Sequence, residues 1–179
     1  MPKDKNPAKH PKIRMREVGW NQIEQLCEEL AGKIRESGFK PHVIVGIARG
    51  GWIPARLLSD RLLIANLASM RTEFYEDVGK TKKEPEITQC VSADVKGKSV
   101  LLVDDVSDTG LSLLTAKKHL EGAGAREIKI ATLHYKPLSK VKPDFYAQET
   151  TDWLVYAWEK NETYSKRLKQ GETAATASC

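Results

Sequence analysis

The 179-residue sequence predicts an α/β fold, an open and mostly parallel sheet flanked by helices, and three observations predict it. Short apolar runs such as HVIVGIA (42–48) and VLLVDD (100–105) are continuous rather than alternating, as in strands covered on both faces. Between them lie segments whose apolar residues recur every three or four positions, the period of a helix. Glycine-containing turns join the two kinds of segment in strand-then-helix order, which is the order of a parallel sheet. The length suits a single domain of about 100–200 residues.

Taken in chain order, residues 1–16 carry six basic residues, one acidic residue and three prolines, and are expected to be a disordered basic arm. Trp20, Ile23, Leu26, Cys27, Leu30, Ala31 and Ile34 then mark one apolar helix face, with Gly38 as the stop. The strand HVIVGIA leads through Arg49, Gly50 and Gly51 into a helix over WIPARLLSDRLLI. A second strand is expected from Asn66 to Thr72, and FYEDVGKTKKEPE interrupts the pattern as a mobile loop. The strand ITQCVSA (87–93), a KGK turn, the VLLVDD strand, a helix from Leu111 to Gly122 and the strand EIKIATLHY (127–135) complete the expected domain, taken as residues 17–160. Residues 161–179 are assigned to a C-terminal helix or tail.

Charge and cysteine content exclude several functions. The net charge of +5 is that of the basic arm, so the rest of the chain is balanced. Nothing beside the arm supplies a base-reading motif, and nucleic acid is not an expected partner. No apolar run approaches the roughly 18 residues of a membrane span. Cys27, Cys90 and Cys179 are odd in number and widely spaced, without a metal-binding pattern, which suits a reducing cytoplasm. His10, His42, His119 and His134 are scattered and are assigned no chemistry.

The chemistry concentrates in VLLVDDVSDTGLS, Val100 to Ser112, where Asp104, Asp105 and Asp108 fall within five positions. Carboxylates held that close imply a cation, a bound polyol or a raised pKa. Beyond them Asp108, Thr109, Gly110, Leu111 and Ser112 form a turn into a helix: Gly110 permits close backbone approach, Thr109 and Ser112 add hydroxyls, and the helix start offers free N–H groups. A phosphate cradle next to an acid pair suits a phosphorylated ribose, whose diol the carboxylates accept and whose Mg²⁺ Asp104 and Asp105 help to hold. Taken alone, the DTG residues are equally an ordinary helix cap, and the acids could be a solvated strand end.

With these residues in place, VLLVDDVSDTGLS resembles the phosphoribosyl-pyrophosphate (PRPP) signature of the type I phosphoribosyltransferases, with Ser107 where the family has an apolar residue, a departure expected to loosen local packing. IVGIARGGWIPARLL resembles the family's pyrophosphate loop, which implies pyrophosphate contacts from Ala48, Arg49 and Gly50 and a cis or strained Ala48–Arg49 peptide. The loop at 73–87, with Lys80, Lys82 and Lys83, lies where the family keeps a mobile lid. LHYKPLS and TDWLVYAWE look like the small base-binding hood of the 6-oxopurine branch, in particular the bacterial xanthine–guanine enzymes. That likeness implies that Lys136 donates to the purine O6, Trp153 stacks on the base and the Leu154 carbonyl meets the group at C2. Read without it, Lys136 is a solvated strand end and Trp153 a core aromatic. Ala157 replaces the proline usual before the second tryptophan.

The resemblance covers roughly residues 20–160 and implies a Mg²⁺-dependent purine phosphoribosyltransferase. It would join guanine, hypoxanthine or xanthine to PRPP, with Asp108 as the group acting on the purine proton and Asp104 and Asp105 expected to face solvent. The family's habit adds a homo-oligomer, dimer or tetramer. Two alternatives remain open: a regulatory or nucleotide-sensing protein on the same fold, and a phosphoribosyltransferase for adenine or a pyrimidine.

Overall fold

In the computed structural model, described over residues 14–74, 76–77, 80–81 and 85–169, the elements follow the expected alternation. They run β1 (Met15–Val18), α1 (Trp20–Glu36), β2 (Val43–Ala48), α2 (Trp52–Arg61), β3 (Leu67–Glu73), β4 (Glu76–Asp77), β5 (Lys80–Thr81) and β6 (Glu86–Gln89). After these come β7 (Ser99–Ser107), α3 (Leu111–Gly122), β8 (Glu127–Tyr135), β9 (Phe145–Glu149), β10 (Trp153–Tyr156) and α4 (Lys160–Lys169).

The larger of two compact units, Trp20–Thr151, holds a six-stranded sheet in the order β6-β3-β2-β7-β8-β9. Every pairing in it is parallel except that of β3 with β6. Alternation along the strands gives two apolar faces. Val43, Val45 and Ile47 of β2 and Val100 and Leu102 of β7 join Leu113, Ala116 and Leu120 of α3 in one core cluster. The opposite face meets α1 and α2, and Gly46 of β2 lies against Ala55. On α1 the expected apolar stripe is buried, Cys27 with it; burial pushes that thiol up to about 12, so it is a core residue rather than a reactive one.

The structure moves several expected boundaries. The strand expected at 87–93 is β6, which stops at Gln89; beyond it Ser92 keeps the chain beside β3 by donating its N–H to the Ser69 carbonyl and accepting the Ser69 N–H at Oγ, both at 3.0 Å. Within the loop expected at 73–87, β4 and β5 pair antiparallel, a two-residue ladder too short to carry a hydrophobic period. Lys82 and Lys83 lie outside the described residues.

The smaller unit comprises Met1–Gly19 and Asp152–Cys179, of which 14–19 and 152–169 are described. Here β1 pairs parallel with β10, Met15 opposite Trp153 and Arg16 opposite Leu154. The basic arm expected over 1–16 therefore ends in a strand. Its signal is hidden because MREV carries adjacent charges and pairs only with residues far along the chain. Glu17 of β1 accepts from Lys160 of α4 at 2.5 Å and from the Tyr164 hydroxyl, and these bonds hold its carboxyl below the usual range. Tyr156 and Trp158 stack at 4.7 Å.

Candidate active site

The acids stand where β7 leaves the core. Ser99–Val103 are buried, and Asp104, Asp105 and Val106 emerge half-buried at the carboxyl edge of the sheet. Successive strand residues point to opposite faces, so the two carboxylates serve different neighbours. Asp105 lies against the turn that follows β2: a Cβ added to Gly50 would fall 2.1 Å from its Oδ2. That contact brings Ala48, Arg49 and Gly50 to the acid pair. The Ala48–Arg49 peptide is cis, and the Gly51 N–H closes on the Ile47 carbonyl at 2.9 Å as the chain enters α2.

Asp104, on the other face, lines a cavity of about 230 Å³ with Phe74, Asp108, Thr109, Gly110 and Ser112. It was expected to face solvent and instead is half-buried. Burial first, and the neighbouring Asp105 carboxylate second, hold its carboxyl well above the usual range, opposed by one hydrogen bond from the Asp105 N–H at 3.0 Å.

The turn past the acids is built around Gly110, whose φ of 77° is left-handed and whose missing side chain would otherwise meet Ser139 Oγ at 2.6 Å and Val141 N at 2.8 Å. The Thr109 hydroxyl accepts the Leu111 N–H at 3.4 Å, and Leu111 and Ser112 open the first turn of α3, where N–H groups lack intrahelical acceptors. One further group arrives from β8. Lys136 follows its last residue, donates its N–H to the Ser107 carbonyl at 3.0 Å and sets Nζ 3.0 Å from Asp108 Oδ1. An ammonium beside a carboxylate matches a flat ring edge that presents an acceptor next to an N–H. The Gly110 turn, the acid pair and the Lys136–Asp108 pair thus share one end of the larger unit.

Residues 19–162 match the family described as the phosphoribosyl transferase domain. The chain belongs to that family. Hypoxanthine-guanine phosphoribosyltransferase of Saccharomyces cerevisiae is 31% identical over 146 residues, covering 72% of this chain and 65% of the yeast protein, so the match spans less than two thirds of that relative. The structure of purine phosphoribosyltransferase from Pyrococcus horikoshii superposes with a TM-score of 0.73 at 41% identity, covering 82% of this chain and 94% of that one. A Neisseria gonorrhoeae protein solved with bound ppGpp gives a TM-score of 0.75 at 26% identity, with 91% and 100% covered.

Within this phosphoribosyltransferase fold the expected residues divide. Ala48, Arg49, Gly50, Asp104, Asp105, Asp108, Thr109, Gly110, Leu111, Ser112 and Lys136 all lie in the larger unit. Trp153 and Leu154 belong to β10 of the smaller one, Trp153 with half its surface exposed and its N–H on the Arg14 carbonyl at 2.9 Å, Leu154 buried. One lining residue was missed and one neighbour misjudged. Phe74, immediately after β3, is a half-exposed ring on the wall of the Asp104 cavity, and its signal was an aromatic opening an otherwise charged loop. Ser107 was expected to loosen packing; it is fully buried, and its hydroxyl meets the Val141 carbonyl and Ser139 Oγ, each at 2.8 Å. A polar group in a core costs little once both partners are supplied.

Proposed function

We propose that the protein is a 6-oxopurine phosphoribosyltransferase, converting guanine, hypoxanthine or xanthine and PRPP to the nucleoside 5′-monophosphate and pyrophosphate. The observation that carries this reading is the Lys136–Asp108 pair, 3.0 Å apart beside the phosphate turn. Lysine has three donors and no acceptor, so it satisfies a carbonyl O6 and opposes the 6-amino group of adenine donor to donor. Asp108 accepts the proton at N7, which makes N9 the nucleophile; N9 bonds to ribose C1′ as the C1′–O bond breaks and pyrophosphate departs with its electron pair. Relatives whose names specify hypoxanthine-guanine and purine substrates support the same class.

The other residues position the second substrate. N–H groups and hydroxyls of 109–112 seat the 5′-phosphate, Asp104 and Asp105 accept the ribose diol, and Ala48–Gly50 face the pyrophosphate. The likeness to the 6-oxopurine branch that implies base stacking for Trp153 and a C2 contact for the Leu154 carbonyl supports the same substrate class. Asp104 and Asp105 offer the oxygen donors Mg²⁺ prefers, and on opposite faces of β7 each would act on the ion indirectly, through substrate oxygens. Bound there, Mg²⁺ neutralises charge on the diphosphate. A homo-oligomer in the cytoplasm completes the proposal; no helix among the described residues is long and apolar enough to cross a membrane.

The test is pyrophosphate release from PRPP and single bases. We expect 6-oxopurines to exceed adenine by at least about a hundredfold in kcat/KM, and Lys136→Met to erode that ratio. Adenine as the best substrate would overturn the base assignment. A second reading, a guanine-nucleotide sensor on the same fold, draws on the ppGpp-bound relative. Nucleotide binding without any PRPP-dependent pyrophosphate release would favour it.

A further inference from the structure

Ser107 stands inside the phosphate signature yet faces neither the cradle cavity nor solvent, and its partners are all in the loop after β8. The proton directions there can be worked out. A carbonyl only accepts, so the Ser107 hydroxyl donates to the Val141 oxygen at 2.8 Å. Its proton is then committed, and the 2.8 Å contact between the two hydroxyls must run from Ser139 to Ser107. Ser139 Oγ in turn accepts the Val141 N–H at 3.2 Å. The three bonds close a ring through both polar groups of Val141, a residue that is itself 9% exposed. Bonds arranged donor to acceptor in a cycle polarise one another.

That ring spans the two halves of the site. On one side Ser107 immediately precedes Asp108, Thr109 and Gly110; on the other, the loop begins at Lys136. Backbone bonds run parallel to it: Lys136 N–H to Ser107 O and Lys140 N–H to Thr109 O, both 3.0 Å, with the Ser139 N–H on Lys136 O at 2.9 Å. The bare Cα of Gly110 leaves room for Ser139 and Val141 to approach this closely. An apolar residue at 107 would fill the same core volume but leave the Val141 carbonyl and the Ser139 hydroxyl without this partner.

We infer that Ser107, through Ser139 and Val141, is a positioning residue that fixes Lys136 relative to Asp108, and so sets discrimination between oxo- and aminopurines. The inference rests on the phosphoribosyltransferase reading and concerns how its base clamp is held. Kinetics and amide exchange on the full chain test it together, in Ser107→Ala and, should that variant not fold, in Ser139→Ala at the half-exposed partner.

In either variant we expect exchange at the Val141 amide to rise about tenfold or more, the cost of one lost hydrogen bond in a buried setting. The 6-oxopurine KM should rise by about the same factor while the PRPP KM stays near wild type, and the oxopurine-to-adenine ratio should fall. Ser107→Thr, which keeps the hydroxyl, should restore the ratio. Lowered Tm with an unchanged ratio and unchanged base KM would overturn the positioning role and leave Ser107 a structural hydroxyl. Unchanged Val141 exchange would overturn the ring itself. If the wild type shows no PRPP-dependent turnover, the functional reading fails separately, and the exchange arm alone decides the ring.

Discussion

The two ends of the six-stranded sheet make a useful contrast. At the amino ends of β2, β7 and β8 lies a cleft of about 880 Å³ lined by Lys40, His42, Ser99, Arg126, Lys129 and Asp144. At the carboxyl ends the cavity is about 230 Å³. By volume the first is the better binding site. Most of the polar groups named there, however, answer one another: Lys129 pairs with Asp144 at 3.0 Å, Asp144 also accepts the Ile130 N–H at 2.8 Å, Arg126 donates to Ser99 Oγ at 2.8 Å, and His42 Nδ1 accepts the Ser99 N–H at 3.3 Å. At the other end the fold sets like charges side by side, Asp104 with Asp105, and pushes one of them out of its normal titration range. Electrostatic tension built into a small cleft marks chemistry; satisfied charge around a large one marks surface structure.

The contrast can be broken most sharply at Asp108. Asn keeps the shape but takes no proton, so Asp108→Asn should lower kcat by about 10²–10⁴ with modest change in the PRPP KM, measured by steady-state kinetics. A wild-type kcat would remove Asp108 from the reaction. Next is Gly50→Ala, whose new methyl claims the space of the Asp105 carboxylate. Displacing an acid by about 1 Å can cost roughly a hundredfold in turnover, and the loss should appear with the chain still folded by circular dichroism.

Asp104→Asn sharpens the comparison through stability. A carboxyl whose folded pKa is raised binds its proton more tightly folded than unfolded, so the fold loses stability as pH rises above the ordinary aspartate range. At pH 7 the variant should be more stable than wild type, and the gain should shrink as pH falls toward the ordinary aspartate range. PRPP use should fall in the same variant. Thermal unfolding across that range checks the sign, and a destabilised variant at neutral pH would refute the account of Asp104. The smallest effect belongs to the amino end: Lys129→Ala should cost at most about 1 kcal/mol and leave kinetics unchanged, as for any partly exposed ion pair. A marked kinetic loss there would mean that the large cleft has been misjudged.

How much of this was legible in the sequence depends on the distance over which each interaction acts. VLLVDDVSDTGLS is local, so the strand, the helix from Leu111 to Gly122, the acids and the glycine turn were all readable, and Gly50 could be placed beside them by family likeness. What the sequence did not show is pairing across the chain. MREV and FYAQE have no clean period because they are short strands in which half-buried and exposed residues mix. Nothing in a linear pattern says that Lys136 meets Asp108, or that a serine in a strand end is answered by Ser139. Asp104 was misjudged for the same reason: the cavity it lines is shared with Phe74, after β3, and with Ser112 and Leu113 of α3, which no local pattern brings to it.

The pairing of β1 with β10 bears on how this protein is made. Residues 15–18 are made before their partners, 153–156, and the whole larger unit, Trp20–Thr151, is synthesised in between. Domains made from the N-terminus onward fold as their parts become available. The Gly110 turn and its acids can therefore be in place while β1 still waits for its partner, and the unit that carries Trp153 must be the last to close. A chain stalled or cleaved before Trp153 would retain Asp104, Asp105, the Gly110 turn and the Lys136–Asp108 pair, and its β1 would have no strand to pair with.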